Sequence, residues 1–240
     1  TTTTGVEVDK VYGICAEDSS VVVSALFGDI KLETTGSGNS AVTKIKIDNN
    51  KIKIAGTEYK VETTFDDAAV TSEFESASVN ITTPVADAVP YASIKAIDND
   101  ANGKIDVIIY SPVTVGYIKY AGKTEFTFVT DSSTSITPKY EDAVVYDGMA
   151  KEDFVVQKWD LTAQKYAYTK LDTLSNVKVS STKGETATID GTAYKNNAVA
   201  ISVAGSTITA PGTAVAVADK FDAVATLNGS IVATLGVTNS

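Results

Sequence analysis

The run Asp98-Asn99-Asp100-Ala101-Asn102-Gly103-Lys104-Ile105-Asp106 is the one stretch of this chain whose residue types and spacing point to specific chemistry. Oxygen-bearing side chains stand at its first, third, fifth and ninth positions, a glycine at the sixth permits a sharp turn, and an apolar residue fills the eighth. That is the order in which a calcium loop presents its ligands. Asp98, Asp100, Asn102 and Asp106 are the expected side-chain ligands, and Lys104, at the seventh position, offers only its backbone carbonyl. The twelfth position breaks the pattern, because Ile109 stands where a bidentate glutamate belongs. Calcium held here is held weakly unless a distant carboxylate or water completes the shell. The competing expectation is an extended hairpin turn closed by Asx hydrogen bonds, without any ion.

Other chemistry is narrowed by what the chain lacks. It contains no histidine, which removes a Ser-His-Asp triad, a histidine general base and histidine-ligated zinc or haem. Cys15 is the only cysteine, so neither a disulfide within the chain nor a thiolate cluster can form. Carboxylate chemistry of the glycosidase kind is the enzymatic option that remains. Glu17-Asp18 and Glu152-Asp153 are the recurring acidic pairs, yet each follows a glycine and precedes an apolar stretch, which reads as a turn entering a strand. Within a strand, adjacent residues point to opposite faces, an arrangement a catalytic pair cannot use. The sequence therefore predicts no catalytic residues, no enzyme activity and no organic cofactor.

The elements that position the acidic run belong to a repeat. Residues 13–60 align without a gap on residues 148–195, and about thirteen of the aligned positions are identical. The match ends on Ile54-Ala55-Gly56-Thr57-Glu58-Tyr59-Lys60 against Ile189-Asp190-Gly191-Thr192-Ala193-Tyr194-Lys195. Beyond it, Tyr91 to Ile97, the acidic turn and Val107-Ile108-Ile109 correspond to Phe221 to Leu227, Asn228-Gly229-Ser230 and Ile231-Val232. Both read as strand, turn, strand, since Asn-Gly accepts the positive φ of a tight hairpin. Asp48-Asn49-Asn50-Lys51 and Lys183-Gly184-Glu185-Thr186 read as turns at equivalent places, and Val113 to Val129 as an additional hairpin. Phe65 to Phe74, with acids in its first turn, is the candidate for one short helix.

Abundant Thr, Val, Ile and Tyr favour pleated surfaces. The expected fold is all-β: two tandem related β-rich modules, small barrels or sandwiches, over residues 1–110 and 111–240, with Ser111-Pro112-Val113 as the junction. No stretch approaches the ~20 apolar residues of a membrane helix and no signal peptide is evident, so membrane insertion is not expected. A formal net charge of −10, with lysine as the only basic residue type, argues against nucleic acid as a partner.

Residues 96–116, which contain the acidic run, together with Tyr146 to Val156 and Ala187 to Lys195, resemble segments of the repeat regions of surface-layer proteins of Bacillota, which often carry surface-layer-homology anchor domains elsewhere. The resemblance implies a non-enzymatic, extracellular, cell-surface structural protein, a layer or filament subunit. It would be cut from, or continuous with, a longer anchored chain. It also implies calcium as the ion, and homo-oligomeric assembly with itself and with neighbouring surface proteins through strand edges. A different class stays open, an adhesin or carbohydrate-binding module of a secreted protein. Trp159, Tyr166 and Tyr168 would then form an aromatic sugar platform rather than fill a core. Asn80-Ile81-Thr82 and Asn228-Gly229-Ser230 fit an N-glycosylation sequon, a pattern that arises by chance in a Ser/Thr-rich chain.

Overall fold

Two-residue turns set the architecture. Asn49-Asn50, Ala55-Gly56, Asp190-Gly191 and Asn228-Gly229 each place two successive residues at positive φ, between 48° and 83°. This is the type I′ geometry whose twist matches that of the strands it joins. The computed structural model describes residues 21–65, 70–72, 89–160, 162–196 and 199–236. Its described residues are all-β, interrupted by three short 3-10 turns, at Phe27–Asp29, Gly38–Ser40 and Tyr140–Asp142. They divide into two compact units, the first reaching Pro112 and the second running from Val113.

The first unit holds β1 (Val21–Leu26), β2 (Leu32–Thr35), β3 (Val42–Ile45), β4 (Lys51–Ile54), β5 (Thr57–Lys60), β6 (Val70–Ser72), β7 (Ser93–Ile97) and β8 (Val107–Tyr110). Strand β7 pairs antiparallel with both β1 and β8, and β6 lies parallel on the far side of β8. The β4–β5 hairpin is stitched to this sheet at both ends: Ile30, just past β1, bridges Ile54, and Val61, just past β5, bridges Ile105 ahead of β8. The pairings therefore run full circle through β1, β4, β5, β8 and β7. Ile30, Ile45, Ile52, Ile54, Ile94, Ile97, Ile105 and Ile108 are all buried, as expected for the inward positions of alternating strands.

The second unit holds β9 (Thr114–Ala121), β10 (Phe126–Val129), β11 (Ser135–Ile136), β12 (Ala143–Val145), β13 (Phe154–Asp160), β14 (Lys165–Lys170), β15 (Asp172–Lys183), β16 (Thr186–Ile189), β17 (Thr192–Lys195), β18 (Ile201–Ala204), β19 (Thr207–Thr209), β20 (Lys220–Leu227) and β21 (Ser230–Gly236). The first six form one sheet in the order β11-β10-β9-β13-β14-β12. The remainder form a second sheet, which also closes on itself. Long strand β15 pairs with β20 and then with β16, β16 with β17, and Lys195 of β17 bridges Ser230 of β21, the partner of β20. Each sheet has its own core. One gathers Ile118, Phe126, Phe128, Val155 and Tyr168, the other Val177, Val179, Ile189, Val199, Val224 and Ile231.

The repeat is visible in the backbone. Asp48 and Lys51 exchange hydrogen bonds across the turn where Lys183 faces Thr186 in the other copy. Val61 donates its N–H to the Asn50 carbonyl at 2.9 Å, and Asn196, at the equivalent place, donates to that of Glu185 at 2.7 Å. Strand β6 runs parallel on β8 as β18 does on β21.

The repeat is not exact, and one expectation is corrected. Strands β13 and β14 align in sequence with β1 and β2, but they join β9 in the six-stranded sheet, whereas β1 pairs with β7. The additional hairpin β9–β10 offers β13 a partner that the described residues of the first unit do not offer β1. The helix expected over Phe65 to Phe74 is not formed as such, because Val70–Ser72 is a strand held by β8; residues 66–69, 73 and 74 lie outside the described residues. Cys15, Glu17, Asp18 and Asn80 lie outside them too.

Gly116, in the centre of β9, leaves room for an aromatic ring: a Cβ there would stand 2.3 Å from Phe128. Gly116→Ala is expected to destabilise the second unit by about 1–3 kcal/mol through overpacking. Denaturant unfolding should show that the same substitution costs less in a Phe128→Leu background, where the ring is gone. Equal costs in both backgrounds would contradict the packing argument.

Candidate metal site

Strand β7 ends at Ile97 and β8 begins at Val107, leaving the acidic run as the connection between two antiparallel neighbours. Ala101 at φ 58° and Gly103 at φ 82° bend it, and buried Ile105 ties its return limb to the core. Its side chains are held by the backbone they enclose. Asp98 accepts hydrogen bonds from the N–H groups of Asn102 (3.2 Å) and Gly103 (2.7 Å). Asp100 accepts from the Asn102 N–H, and the side-chain oxygen Oδ1 of Asn102 from the Lys104 N–H. Asp106 accepts the Asn99 N–H at 2.6 Å, closing the neck of the turn. These are the Asx bonds expected of such a hairpin.

The same folding brings carboxylates together. Asp98, Asp100 and Asp106 each place one oxygen within 4.8 Å of the others. Calcium–oxygen distances of about 2.3–2.6 Å allow two ligands up to roughly 5 Å apart, so this set fits a calcium ion by size and by donor type. Asn102 stands among these residues, with its amide nitrogen donating to Asp100 at 2.9 Å. Ile109, at the twelfth position, is a β8 residue and supplies no oxygen.

Glu62 reaches the loop from far away in sequence and was not singled out from the chain alone. It follows Val61, whose bridge to Ile105 sets it beside the turn. One of its oxygens accepts from the Asn102 amide at 2.7 Å and from the Lys104 ammonium at 3.1 Å. The Asn102 bond first, then the Lys104 bond, hold the Glu62 carboxyl below its usual range. Beside the turn the Lys104 ammonium is the ion-pair partner of Glu62. Partial desolvation pushes the Asp98 carboxyl up, but the backbone N–H groups of Gly103, Asn102 and Ala101 outweigh it and keep the group low. Charged carboxylates at neutral pH are what a cation requires.

The acidic pair of the second copy does something different. Asp153 is buried just ahead of β13 and accepts from the Tyr146 hydroxyl (2.6 Å) and the Ala150 N–H (2.9 Å), while Lys170 on β14 closes the group as an ion pair. This network pins the 146–153 loop to the sheet. Glu152, at φ 75°, points elsewhere and pairs with Lys151. The two carboxylates do not converge.

Trp159 is half-buried, meets Tyr166 edge-on at 5.0 Å, and has a buried indole N–H without a hydrogen-bond partner among the described residues. Tyr168, bonded to Gln157, lies inside the core with Phe126 and Phe128 against it. It is thus removed from any sugar platform. Ser230 of the second sequon is buried at the end of its hairpin turn. No protein-family model, curated protein or solved structure matches this chain, so the likeness to surface-layer repeats rests on the sequence segments themselves.

Desolvation pushes the Asp153 carboxyl up, but Lys170, Tyr146 and the Ala150 N–H together hold it below its unfolded value. A depressed folded-state pKa contributes stability above the unfolded value, near pH 4, that is lost as the pH falls through the folded one. Asp153→Ala should cost about 1–3 kcal/mol at neutral pH, because Tyr146 and Lys170 lose their acceptor. In Asp153→Asn the acid limb of the unfolding curve should flatten below about pH 4. An unchanged acid limb in urea titrations would show that Asp153 does not carry that stability.

Proposed function

We propose that this chain is a non-enzymatic structural protein of an extracellular cell surface, a layer or filament subunit whose repeated β modules assemble with copies of itself and with neighbouring surface proteins. The observation that carries this reading is the recurrence, in each unit, of the same turn-locked hairpin closing a small ring of strands. A duplicated scaffold with its own core each time is what stacking modules need, and it asks nothing of an active site. Asp153, the buried acid, is fully engaged in holding a loop.

The outermost strands of the second unit, β11, β12 and β19, contain three residues or fewer. Short edges offer few ladder hydrogen bonds and resist indiscriminate pairing, so side-chain faces contribute to the joining. In this reading calcium is the ion of the acidic turn, held by Asp98, Asp100 and Asp106 with Asn102 alongside. There it neutralises a concentration of charge at the tip of the β7–β8 hairpin.

Electron microscopy of the purified chain at high concentration should show ordered sheets or filaments. Monodisperse monomer with and without calcium would overturn assembly and favour the binding-module alternative, which an oligosaccharide titration would then reveal. Calorimetric titration with calcium should give a saturable signal with a dissociation constant of about 10⁻⁴–10⁻³ M, as befits an incomplete shell. That signal should vanish in Asp98→Asn/Asp100→Asn. Assembly that persists in chelator, with no calcium signal, would keep the structural role and remove the metal.

A further inference from the structure

The strongest charged surface outside the acidic turn lies on the hairpins of the first unit. Lys46 donates its N–H to the Lys31 carbonyl at 2.9 Å, and Lys31 donates its own to the Lys53 carbonyl at 2.8 Å. Residues directly opposite on neighbouring antiparallel segments point to the same side. Lys46, Lys31 and Lys53 therefore make a row across three segments, spaced by roughly 4.8 Å per strand. Lys44 and Lys51 lie two residues along from that row, and Lys60 faces Lys51 across β4 and β5. Their neighbours Ile30, Ile45, Ile52 and Ile54 are buried, which puts all six lysines on the outward face.

Only two of the six are neutralised among the described residues, Lys44 by Glu33 at 3.6 Å and Lys51 by Glu58 at 3.2 Å. Lys31, Lys46, Lys53 and Lys60 are exposed and have no carboxylate partner among the described residues. The hairpin does not need them. At the equivalent places of the second copy, Lys44, Lys46, Lys51 and Lys53 are replaced by Val179, Ser181, Thr186 and Thr188, and the turn still closes. Like charges set directly opposite one another oppose folding, so a scaffold that can dispense with them keeps them for another reason.

Charge balance identifies the partner. This face takes six of the chain's 20 basic residues and, with Glu33 and Glu58, two of its 30 acidic ones. The remainder carries 28 acids against 14 lysines, the complement of the face itself. We propose that the lysine face of the β2–β5 hairpins is the contact through which one copy docks onto the acidic surface of a second copy. The inference rests on the assembly reading and names its adhesive surface. Donor and acceptor surfaces differ, and a heterologous contact of this kind either closes into a ring or propagates as an open chain. General repulsion between two copies of net charge −10 is screened beyond about 8 Å at physiological salt, whereas opposed charges in contact lie inside that distance.

Sedimentation velocity over a concentration series tests this with the whole chain. Wild type should associate, with an apparent dissociation constant that rises at least about tenfold between low and high salt. Lys31→Glu/Lys46→Glu/Lys53→Glu should be monomeric at every concentration, and Lys31→Gln/Lys46→Gln/Lys53→Gln should be weakened in the same direction, each with a wild-type circular dichroism spectrum. Lys119→Glu/Lys123→Glu/Lys183→Glu, which makes the same change in net charge on the second unit, should associate like wild type. If the lysine-face variants associate like wild type, the inference fails while assembly stands. If both sets of variants weaken equally, net charge alone governs and the inference fails. A wild type that stays monomeric defeats both readings, and one that is monomeric but binds polyphosphate assigns the face to a polyanion instead.

Discussion

Every strand in this protein must bury one face and find hydrogen-bonding neighbours, and strands of four residues cannot do either alone. The structure meets that constraint by bringing short hairpins back onto the sheet that preceded them. In the first unit the closing contact is the parallel bridge of Val61 with Ile105; in the second it is that of Lys195 with Ser230. Each is a single bridge, yet each converts an open sheet into a ring and gives both edges of a hairpin a partner. The acidic turn and the lysine face are both carried on strands whose register the first of these closures helps to fix.

The two copies reach the same closure by different routes. In the second, one long strand, β15, serves β20 with its first part and β16 with its last. In the first, Lys31 lies between Lys46 and Lys53 and the hairpin beyond Asp48 and Lys51 is pried apart around it. The intrusion adds a segment to the sheet and sets Lys31 between Lys46 and Lys53, which an uninterrupted hairpin would place opposite each other. A further difference sits at the opposite hairpin, where two residues, Asn228-Gly229, suffice in one copy and a nine-residue acidic turn is used in the other. Since the bare turn closes well, the acids of the longer one are available for another use. Their convergence, with Glu62 and Lys104 balancing each other beside them, makes a charged tip rather than a structural necessity.

The all-β class and the turns at Asp48 to Lys51, Lys183 to Thr186 and Asn228-Gly229 could be read from residues in sequence. Asn-Gly, Asp-Gly and Asn-Asn steps between apolar alternations identify hairpins because few other residues accept two successive positive φ values. What could not be read was any feature decided by pairing at a distance. Glu62 meets Asn102 only because β5 ends beside Ile105, and local spacing carries no trace of that bridge. The placement of β13 and β14 was obscured by their likeness to β1 and β2; the partner that claims them, β9, lies outside the aligned segments. A strand stands within the segment read as a helix, since acids in a first turn do not outweigh an available edge on β8. The lysine face does have a local signal, the alternation Lys44-Ile45-Lys46-Ile47 and Lys51-Ile52-Lys53-Ile54, but its third row depends on Lys31.

The central claim is that equivalent closures hold both units, and amide hydrogen exchange of the intact chain reaches it most directly. The N–H of Val61, bonded to the Asn50 carbonyl, and that of Asn196, bonded to the Glu185 carbonyl, stand at the mouths of the two hairpins. Protection of both amides comparable to that of the strands they border is the predicted result. Exchange of either at the rate of an exposed loop, while its hairpin strands stay protected, would mean that the ring is open there and that the two copies are not closed alike.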